Sequence, residues 1–277
     1  MIWQRFVSAS HLKGWIPPRC YEILDFIKRG RSGLTRLYPN WHAACTDAGT
    51  YNNSDILEKV NSATRRAVAS NGREFERDGF LFDGPITPFP LVACLLRVAT
   101  ANGGNLVVAD FGGSLGSSFY QCREFLSGLR KLRWLVVDQA QFVQCGRKSF
   151  QQENLRFYET LEEAATEAAP DVVLFSGVLQ YLNDPYDILA RAAALRPRAI
   201  IIDRNPESTR KTDVFTVQIV PEDIYQARLP FRIFGAGNVD AHLVGYRQTF
   251  GFAAVDPDMR TGYLTVKFRG ALHERVE

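Results

Sequence analysis

The sequence predicts a doubly wound α/β fold, with a seven-stranded, mostly parallel sheet that an antiparallel hairpin closes at one edge. From Asn105 onward, short apolar runs alternate with helical segments; the runs are NLVVAD, RWLVVDQ, LRFYET, DVVLFS and RAIIIDR. Continuous apolar strands are typical of a parallel sheet buried on both faces, and regular strand–helix alternation favours a doubly wound sheet. The stretch FGFAAVDPDMRTGYLTVKFRG breaks this rhythm and predicts the two strands of the hairpin.

The first hundred residues differ from the rest, and we expect a helical cap over residues 1–100 before a core domain over residues 101–277. Within the cap, DILEKVNSATRRAVA has helical spacing, with Ile56, Val60 and Ala63 along one face. The segment PITPFPLVACLLRVAT predicts an apolar helix that begins at a proline. A chain of 277 residues is long enough for a core domain with such a cap.

The bulk composition argues against several classes of partner. A net charge of +3 is small for this length and gives no support for nucleic-acid binding. The five cysteines are widely spread, without a Cys-x-x-Cys pair, so we expect reduced thiols, no metal site and a cytoplasmic protein. The first residues lack the apolar core of a signal peptide. No run approaches the roughly 18 apolar residues of a transmembrane helix, so we expect no transmembrane segment.

A glycine-rich turn follows the first predicted strand of the core, in the segment NLVVADFGGSLGSSFYQ. A triphosphate-binding P-loop requires a lysine after its last glycine, but Ser117 and Ser118 follow Gly116. A dinucleotide turn requires Gly-x-Gly-x-x-Gly, and Ser114 occupies the place of the second glycine. Asp110 at the strand end would also repel a pyrophosphate. Both readings are therefore disfavoured.

The same turn fits the pattern Asp/Glu-x-Gly-x-Gly-x-Gly of a turn that binds S-adenosylmethionine. Asp110, Gly112, Ser114 and Gly116 occupy its four defined positions, and Gly113 lies between them. This cofactor has no phosphate and carries a cationic methionyl end, so an acid at the strand end is favourable. Glycines let the backbone approach the ligand without a Cβ atom in the way. The alternative is a plain tight turn between a strand and a helix.

Polar residues also follow the other predicted strands, where ligands of such sheets bind. Asp138 ends RWLVVDQ, where an acid is placed to bind ribose hydroxyls; an ordinary polar strand end is the alternative. Asp203 ends RAIIID. The predicted cofactor-binding residues are therefore Asp110, Gly112, Gly113, Ser114, Gly116, Asp138, Ser176, Gly177 and Gln180.

Four segments, ADFGGSLGSSFYQ, VLQYLNDPYDIL, IIDRNP and FTVQIVPEDIYQARLPFRIF, resemble a bacterial family of class I S-adenosylmethionine-dependent methyltransferases. The family is often found among genes for lipopolysaccharide or capsule polysaccharide synthesis. The resemblance covers roughly residue 41 to the C-terminus and implies a Rossmann-like fold. The family commonly has Arg-Thr-Pro after the fifth strand, where this chain has Arg204, Asn205 and Pro206.

If the acceptor is a hydroxyl group, a base must take its proton. Asp203 is the first candidate base, with pairing to Arg204 as the alternative, and His242 is the second. Arg204 is a candidate for binding an anionic acceptor. Tyr51 and Arg77 are candidates for closing over the cofactor. The predicted substrate-binding residues are Tyr181, Arg204, Gln218 and Tyr225.

The leading hypothesis is an S-adenosylmethionine-dependent methyltransferase that O-methylates a sugar or glycan intermediate in polysaccharide biosynthesis and releases S-adenosylhomocysteine. One alternative is an NAD(P)-dependent oxidoreductase on the same sheet. Another is a non-catalytic, methyltransferase-like binding module. The expected partner is a small-molecule or glycan acceptor, and a homodimer is one possible assembly.

Overall fold

A computed structural model describes residues 33–49, 53–70, 72–77, 79–83, 87–220 and 227–276. Its first half contains β1 (Gly33–Leu34), α1 (Trp41–Ala48), α2 (Asn53–Ala69), β2 (Glu74–Arg77), β3 (Phe80–Asp83), α3 (Phe89–Ala101), β4 (Asn105–Phe111), α4 (Ser117–Cys122), β5 (Lys131–Val137) and α5 (Ala140–Ser149). The second half contains β6 (Leu155–Tyr158), α6 (Leu161–Glu167), β7 (Val172–Ser176), α7 (Pro185–Ala194), β8 (Ala199–Ser208), β9 (Val214–Val220), β10 (Ala227–Gly235), α8 (Asn238–His242), β11 (Tyr246–Ala253), β12 (Met259–Thr261) and β13 (Leu264–Arg275). Within these ranges, no helix is long and apolar enough to cross a membrane.

The central sheet confirms the predicted α/β class. Its strands follow the order β6-β5-β4-β7-β8-β13-β11. Neighbours from β6 to β8 are all parallel. β13 is antiparallel to both β8 and β11. This is the seven-stranded, mostly parallel sheet that the five apolar runs and the C-terminal hairpin predict.

Side-chain alternation along β4 explains how the sheet buries both faces. Leu106 and Val108 belong to one apolar cluster with residues of α3 and α5, and Ala109 belongs to a second cluster with residues of α6 and α7. Successive side chains of a strand point to opposite faces. Helices cover both faces of the sheet, so the carboxyl edge of the strands is where a ligand-binding site can form.

Additional strands extend the sheet beyond the predicted seven. β9 and β10 form an antiparallel pair between β8 and α8, and β1 pairs with β9. β10 joins the core where Phe234 and Gly235 pair with Glu207 and Ser208 of β8. α1 contacts both β9 and β10. β9 and β10, together with β1 and α1 of the N-terminal region, therefore form one layer beyond the carboxyl end of β8.

Helices occupy both N-terminal segments that the sequence predicts to be helical, in α2 and α3. Between them lies the β2–β3 hairpin, which the sequence did not indicate. The hairpin contacts α2 and α4. It therefore lies beside the turn that follows β4.

Gly146 on α5 provides a test of the packing. A Cβ atom at this position would lie 2.4 Å from Cδ1 of Phe157. Overpacking of a core typically costs about 1–3 kcal/mol, which exceeds the helix-propensity gain of about 1 kcal/mol from alanine. We expect Gly146→Ala to lower the free energy of unfolding measured in urea. Gly128→Ala is the control, because no atom lies within 4 Å of its Cβ position. Equal losses of unfolding free energy in the two variants would contradict the close packing of Gly146 against Phe157.

Candidate cofactor and active site

The turn after β4 has the backbone conformation that its glycines indicate. The φ angles of Gly112, Ser114 and Gly116 are 72°, 55° and 95°. A Cβ atom on Gly112 would lie 2.3 Å from Cγ2 of Val178, in the loop after β7. Gly112 is therefore required both by its left-handed backbone and by close packing against the neighbouring loop.

Asp138, at the end of β5, holds this turn in place. Its Oδ2 accepts a hydrogen bond from the amide of Ser114 at 2.8 Å, and its Oδ1 accepts one from the amide of Gln139 at 2.7 Å. Burial raises the pKa of Asp138, while these two amide donors oppose the shift. The first bond explains why a non-glycine residue at position 114 can keep a left-handed backbone, a conformation that is uncommon outside glycine.

Asp110 lies beneath the turn. It is 1% exposed, and its Oδ2 accepts a hydrogen bond from Nε1 of Trp134 at 2.9 Å. A Cβ atom on Gly113 would lie 2.7 Å from the Asp110 carboxyl carbon, so this glycine allows the turn to close over the acid. Burial raises the pKa of Asp110 to about 7. In this structure Asp110 supports the turn from below.

A pocket lies between the glycine turn, the end of β7 and the middle of β8, where Asp203 pairs with Ser176. Its walls bring together Ser114, Ser176 and Asp203. The strand that the sequence predicted to end at Asp203 continues to Ser208. The lining residues are Arg77, Pro88, Leu91, Gly112, Gly113, Ser114, Ser117, Ser118, Gln121, Ser176, Asp203, Arg204 and Val255. The enclosed cavity is about 40 Å³.

Asp203 is the buried acid of this pocket, with 6% of its surface exposed. Its Oδ2 accepts a hydrogen bond from Oγ of Ser176 at 3.1 Å, and its carbonyl accepts one from the amide of Gly177 at 2.9 Å. Burial raises the pKa of Asp203, and the neighbouring Arg204 is the largest cause in the opposite direction. A buried carboxylate with a raised pKa is suited to accept a proton.

Arg204 does not extend freely toward an acceptor. Its guanidinium forms a bidentate ion pair with Asp256, with Nε 2.9 Å from Oδ2 and Nη2 3.1 Å from Oδ1. Its φ angle of 57° is left-handed. The guanidinium is therefore bound to Asp256, while its charge also acts to lower the pKa of Asp203, the residue with which the sequence suggested a pairing.

The other predicted residues lie in different surroundings. Gln180 is 3% exposed and donates a hydrogen bond to the Gly177 carbonyl at 2.8 Å, so it supports the loop after β7. Tyr181 donates to Oε1 of Gln218 at 2.6 Å, which ties that loop to β9. The predicted residues Tyr51 and Tyr225 lie outside the described residues.

His242 is exposed on α8 and lies outside the pocket that Asp203 lines. Its ring stacks on Tyr186 with centroids 3.9 Å apart, and its Nδ1 lies 2.7 Å from the carbonyl oxygen of Asn238. Of the two candidate bases, Asp203 is the one next to the glycine turn.

Sequence reasoning missed several residues around the pocket. Glu76 of β2 accepts hydrogen bonds from Oγ of Ser117 at its carboxylate and, at 3.2 Å, from Nε2 of Gln121 at its carbonyl. These bonds fix the β2–β3 hairpin onto α4, with Arg77 at the pocket wall. The serines directly after the turn were a usable signal, whereas no pattern in the sequence places Glu76 opposite them.

Asp110 should make stability depend on pH. Its folded pKa of about 7 exceeds the ordinary value of 3.8, so the folded protein retains a proton that the unfolded chain releases between these values. The free energy of unfolding should therefore fall as the pH rises from about 4 to 7, by up to about 4 kcal/mol from this group. Asp138 and Asp203 shift in the same direction.

We expect Asp110→Asn to remove the contribution of Asp110 while keeping an acceptor for Trp134. The free energy of unfolding in urea is measured for wild type and variant at pH 5 and pH 8. The difference between the two proteins isolates the contribution of Asp110, because the other acids are common to both. The variant should gain stability relative to wild type as the pH rises. Parallel pH curves would contradict a raised pKa at Asp110.

No protein-family model matches this sequence, and no curated protein matches it. Among solved structures, the N-terminal domain of EvdMO1 with S-adenosylhomocysteine and D-fucose is 17% identical, covering 82% of this chain and 98% of that one, with a TM-score of 0.47. CalS10, an S-adenosylmethionine-bound amino pentose methyltransferase from Micromonospora echinaspora, is 10% identical over 76% and 97%, with a TM-score of 0.45. An S-adenosylmethionine-dependent methyltransferase from Clostridium acetobutylicum ATCC 824 is 8% identical over 69% and 93%, also with a TM-score of 0.45.

Proposed function

We propose that this chain is a class I S-adenosylmethionine-dependent methyltransferase that methylates a hydroxyl group of a small molecule, sugar or glycan intermediate. The observation that carries the proposal is the pocket in which the glycine turn after β4, Ser176 at the end of β7 and a buried acid of β8, Asp203, lie together. Ligands of open α/β sheets bind at the carboxyl edge of the strands. The product of the cofactor would be S-adenosylhomocysteine.

The hydrogen bonds of the turn favour a ligand without phosphate. The amide of Ser114, which would face a pyrophosphate in a dinucleotide-binding turn, donates to the carboxylate of Asp138. A second acid, Asp110, lies directly below. The carboxylate of Asp138 beside the turn opposes a phosphate and favours a cationic ligand, and Asp110 adds to this above its pKa of about 7. This arrangement supports S-adenosylmethionine over NAD(P).

The residues present fit such a cofactor. Each carboxylate oxygen of Asp138 has further acceptor capacity for ribose hydroxyls. The hydroxyl groups of Ser114 and Ser118, with the guanidinium of Arg77, would supply donors for the methionyl carboxylate. The pocket is partly open to solvent, and its cavity of about 40 Å³ would hold only part of the cofactor.

When bound, the cofactor supplies an electrophilic methyl group. Asp203 accepts the proton of the acceptor hydroxyl, and Ser176 orients its carboxylate through the 3.1 Å hydrogen bond. The pocket walls hold the acceptor oxygen close to the reacting carbon and exclude water.

Calorimetry and turnover test the proposal together. We expect the protein to bind S-adenosylhomocysteine and not NAD⁺ or NADP⁺, and to produce S-adenosylhomocysteine with at least one member of a panel of sugars and nucleotide sugars. Binding of a nicotinamide cofactor without binding of S-adenosylmethionine would overturn the proposal. Cofactor binding without turnover across the panel would favour a non-catalytic module.

Asp138→Asn should weaken binding of S-adenosylhomocysteine about 10- to 100-fold, because hydrogen bonds to a charged group contribute about 1.5–3 kcal/mol. The measurement is calorimetry at constant pH. Asp171→Asn is the matched control: Asp171 also accepts from a backbone amide, that of Val107 at 2.9 Å, but at the opposite end of β4. Equal affinity losses in both variants would contradict a direct role for Asp138.

A further inference from the structure

Asp256 reaches the candidate site from the loop between β11 and β12 and engages the guanidinium of Arg204. Both side chains are only 15% exposed. Two nitrogens of Arg204 lie 2.9 and 3.1 Å from the two oxygens of Asp256. A bidentate pair of this kind fixes orientation as well as charge. Val255, the preceding residue, lines the pocket, so the ion pair anchors one wall of the site to β8.

The backbone of Arg204 is also held in an uncommon conformation, with a φ angle of 57°. Such a conformation in a non-glycine residue persists only where the surroundings determine it. The guanidinium lies over Gly177, where a Cβ atom would be 3.0 Å from Nη1. Gly177 in turn donates its amide hydrogen to the carbonyl of Asp203. The positive charge therefore lies against Gly177, and the neighbouring Ser176 donates a hydrogen bond to the carboxylate of Asp203.

We propose that Asp256 is a positioning residue that acts through Arg204, because it holds the guanidinium beside Asp203 and so favours the ionised, proton-accepting form of that carboxylate. The inference rests on the proposed function, in which Asp203 is the general base. Asp256 itself has no proposed contact with the substrate or the cofactor.

The sign of the effect separates two possible roles of Asp256. Arg204 is the largest cause that lowers the pKa of Asp203, whereas the negative charge of Asp256 acts to raise it. If Asp256 acts by positioning Arg204, its removal should raise the pKa of Asp203. If it acts only by its own charge, its removal should lower that pKa. Among the described residues, the ionisable groups that interact with Asp203 or share its pocket are Arg204, Asp256, Cys94, Cys122 and Arg77. Ser176 donates a hydrogen bond to its carboxylate.

The experiment is the pH profile of kcat/KM for wild type, Asp256→Ala, Arg204→Ala and the double variant. An adjacent arginine lowers a carboxyl pKa by about 1–3 units, so we expect the acidic limb to move up by about one pH unit in each single variant. In the double variant, the acidic limb should lie at the same pH as in the single variants. A downward shift or no shift in Asp256→Ala, or an additive shift in the double variant, would overturn the proposal.

Asp258→Ala is the matched control, since Asp258 is an exposed acid of the same loop; its profile should equal that of wild type. A carbon-13 NMR titration of the Asp203 carboxyl group gives the same comparison without turnover. A protein that binds no S-adenosylmethionine would disprove the proposed function. An Asp203 titration that Asp256→Ala leaves unchanged would disprove this inference alone.

Discussion

Asp203→Asn is expected to reduce turnover by about 10²- to 10⁴-fold, the range that a positioned general base contributes. Asparagine keeps the size of the side chain and an oxygen that can accept the hydrogen bond of Ser176, 3.1 Å away in the wild type. It removes the proton-accepting carboxylate. The loss should therefore fall on kcat, while binding of S-adenosylhomocysteine stays within about threefold of wild type.

The comparison needs steady-state kinetics and calorimetry on the same protein preparations. His242→Gln is the matched control, because His242 was the second candidate base and is exposed outside the pocket. We expect it to keep wild-type turnover. Full activity in Asp203→Asn combined with a large loss in His242→Gln would contradict Asp203 as the general base and identify His242 instead.

Gly112→Val is expected to abolish measurable cofactor binding, with an affinity loss greater than 100-fold. The new Cβ would lie 2.3 Å from Cγ2 of Val178, at a residue whose φ angle is 72°. A left-handed backbone costs an ordinary residue about 1–2 kcal/mol, and overpacking adds about 1–3 kcal/mol. The free energy of unfolding should therefore fall by about 2–5 kcal/mol, and the turn should be displaced.

Gly128→Val is the control, because no atom lies within 4 Å of its Cβ position. Circular dichroism of Gly112→Val at low temperature separates a folded protein with a displaced turn from an unfolded chain. If a folded Gly112→Val protein bound the cofactor with unchanged affinity, the glycine turn would not be part of the cofactor site.

The core sheet could be predicted from the sequence because its strands are continuous apolar runs. β4, β5, β7 and β8 each contain three or more fully buried apolar residues, and this pattern does not depend on distant partners. β2 and β3 each have only four residues. Their position depends on contacts with α2 and α4, which no local pattern encodes.

The site was predictable to the extent that it depends on strand ends. The glycine turn and Ser176 follow or end neighbouring parallel strands, and Asp203 pairs with Ser176 from β8. Asp138, after β5, contacts the turn through the amide of Ser114. The pairing of Arg204 with Asp256 was not predictable, because the two residues are 52 positions apart, one in β8 and the other in the loop between β11 and β12. The position of Asp110 below the turn depends on Trp134, which the sequence showed only as part of an apolar run.

The contact between Trp134 and Asp110 gives the protein an optical signal of its own. The indole is fully buried, and its Nε1 lies 2.9 Å from the carboxylate oxygen beneath the glycine turn. A charge that appears or disappears at this distance in a low-dielectric interior changes the electric field across the ring. The near-ultraviolet absorption and emission of Trp134 should therefore follow the protonation of Asp110 and any displacement of the turn, without an attached dye.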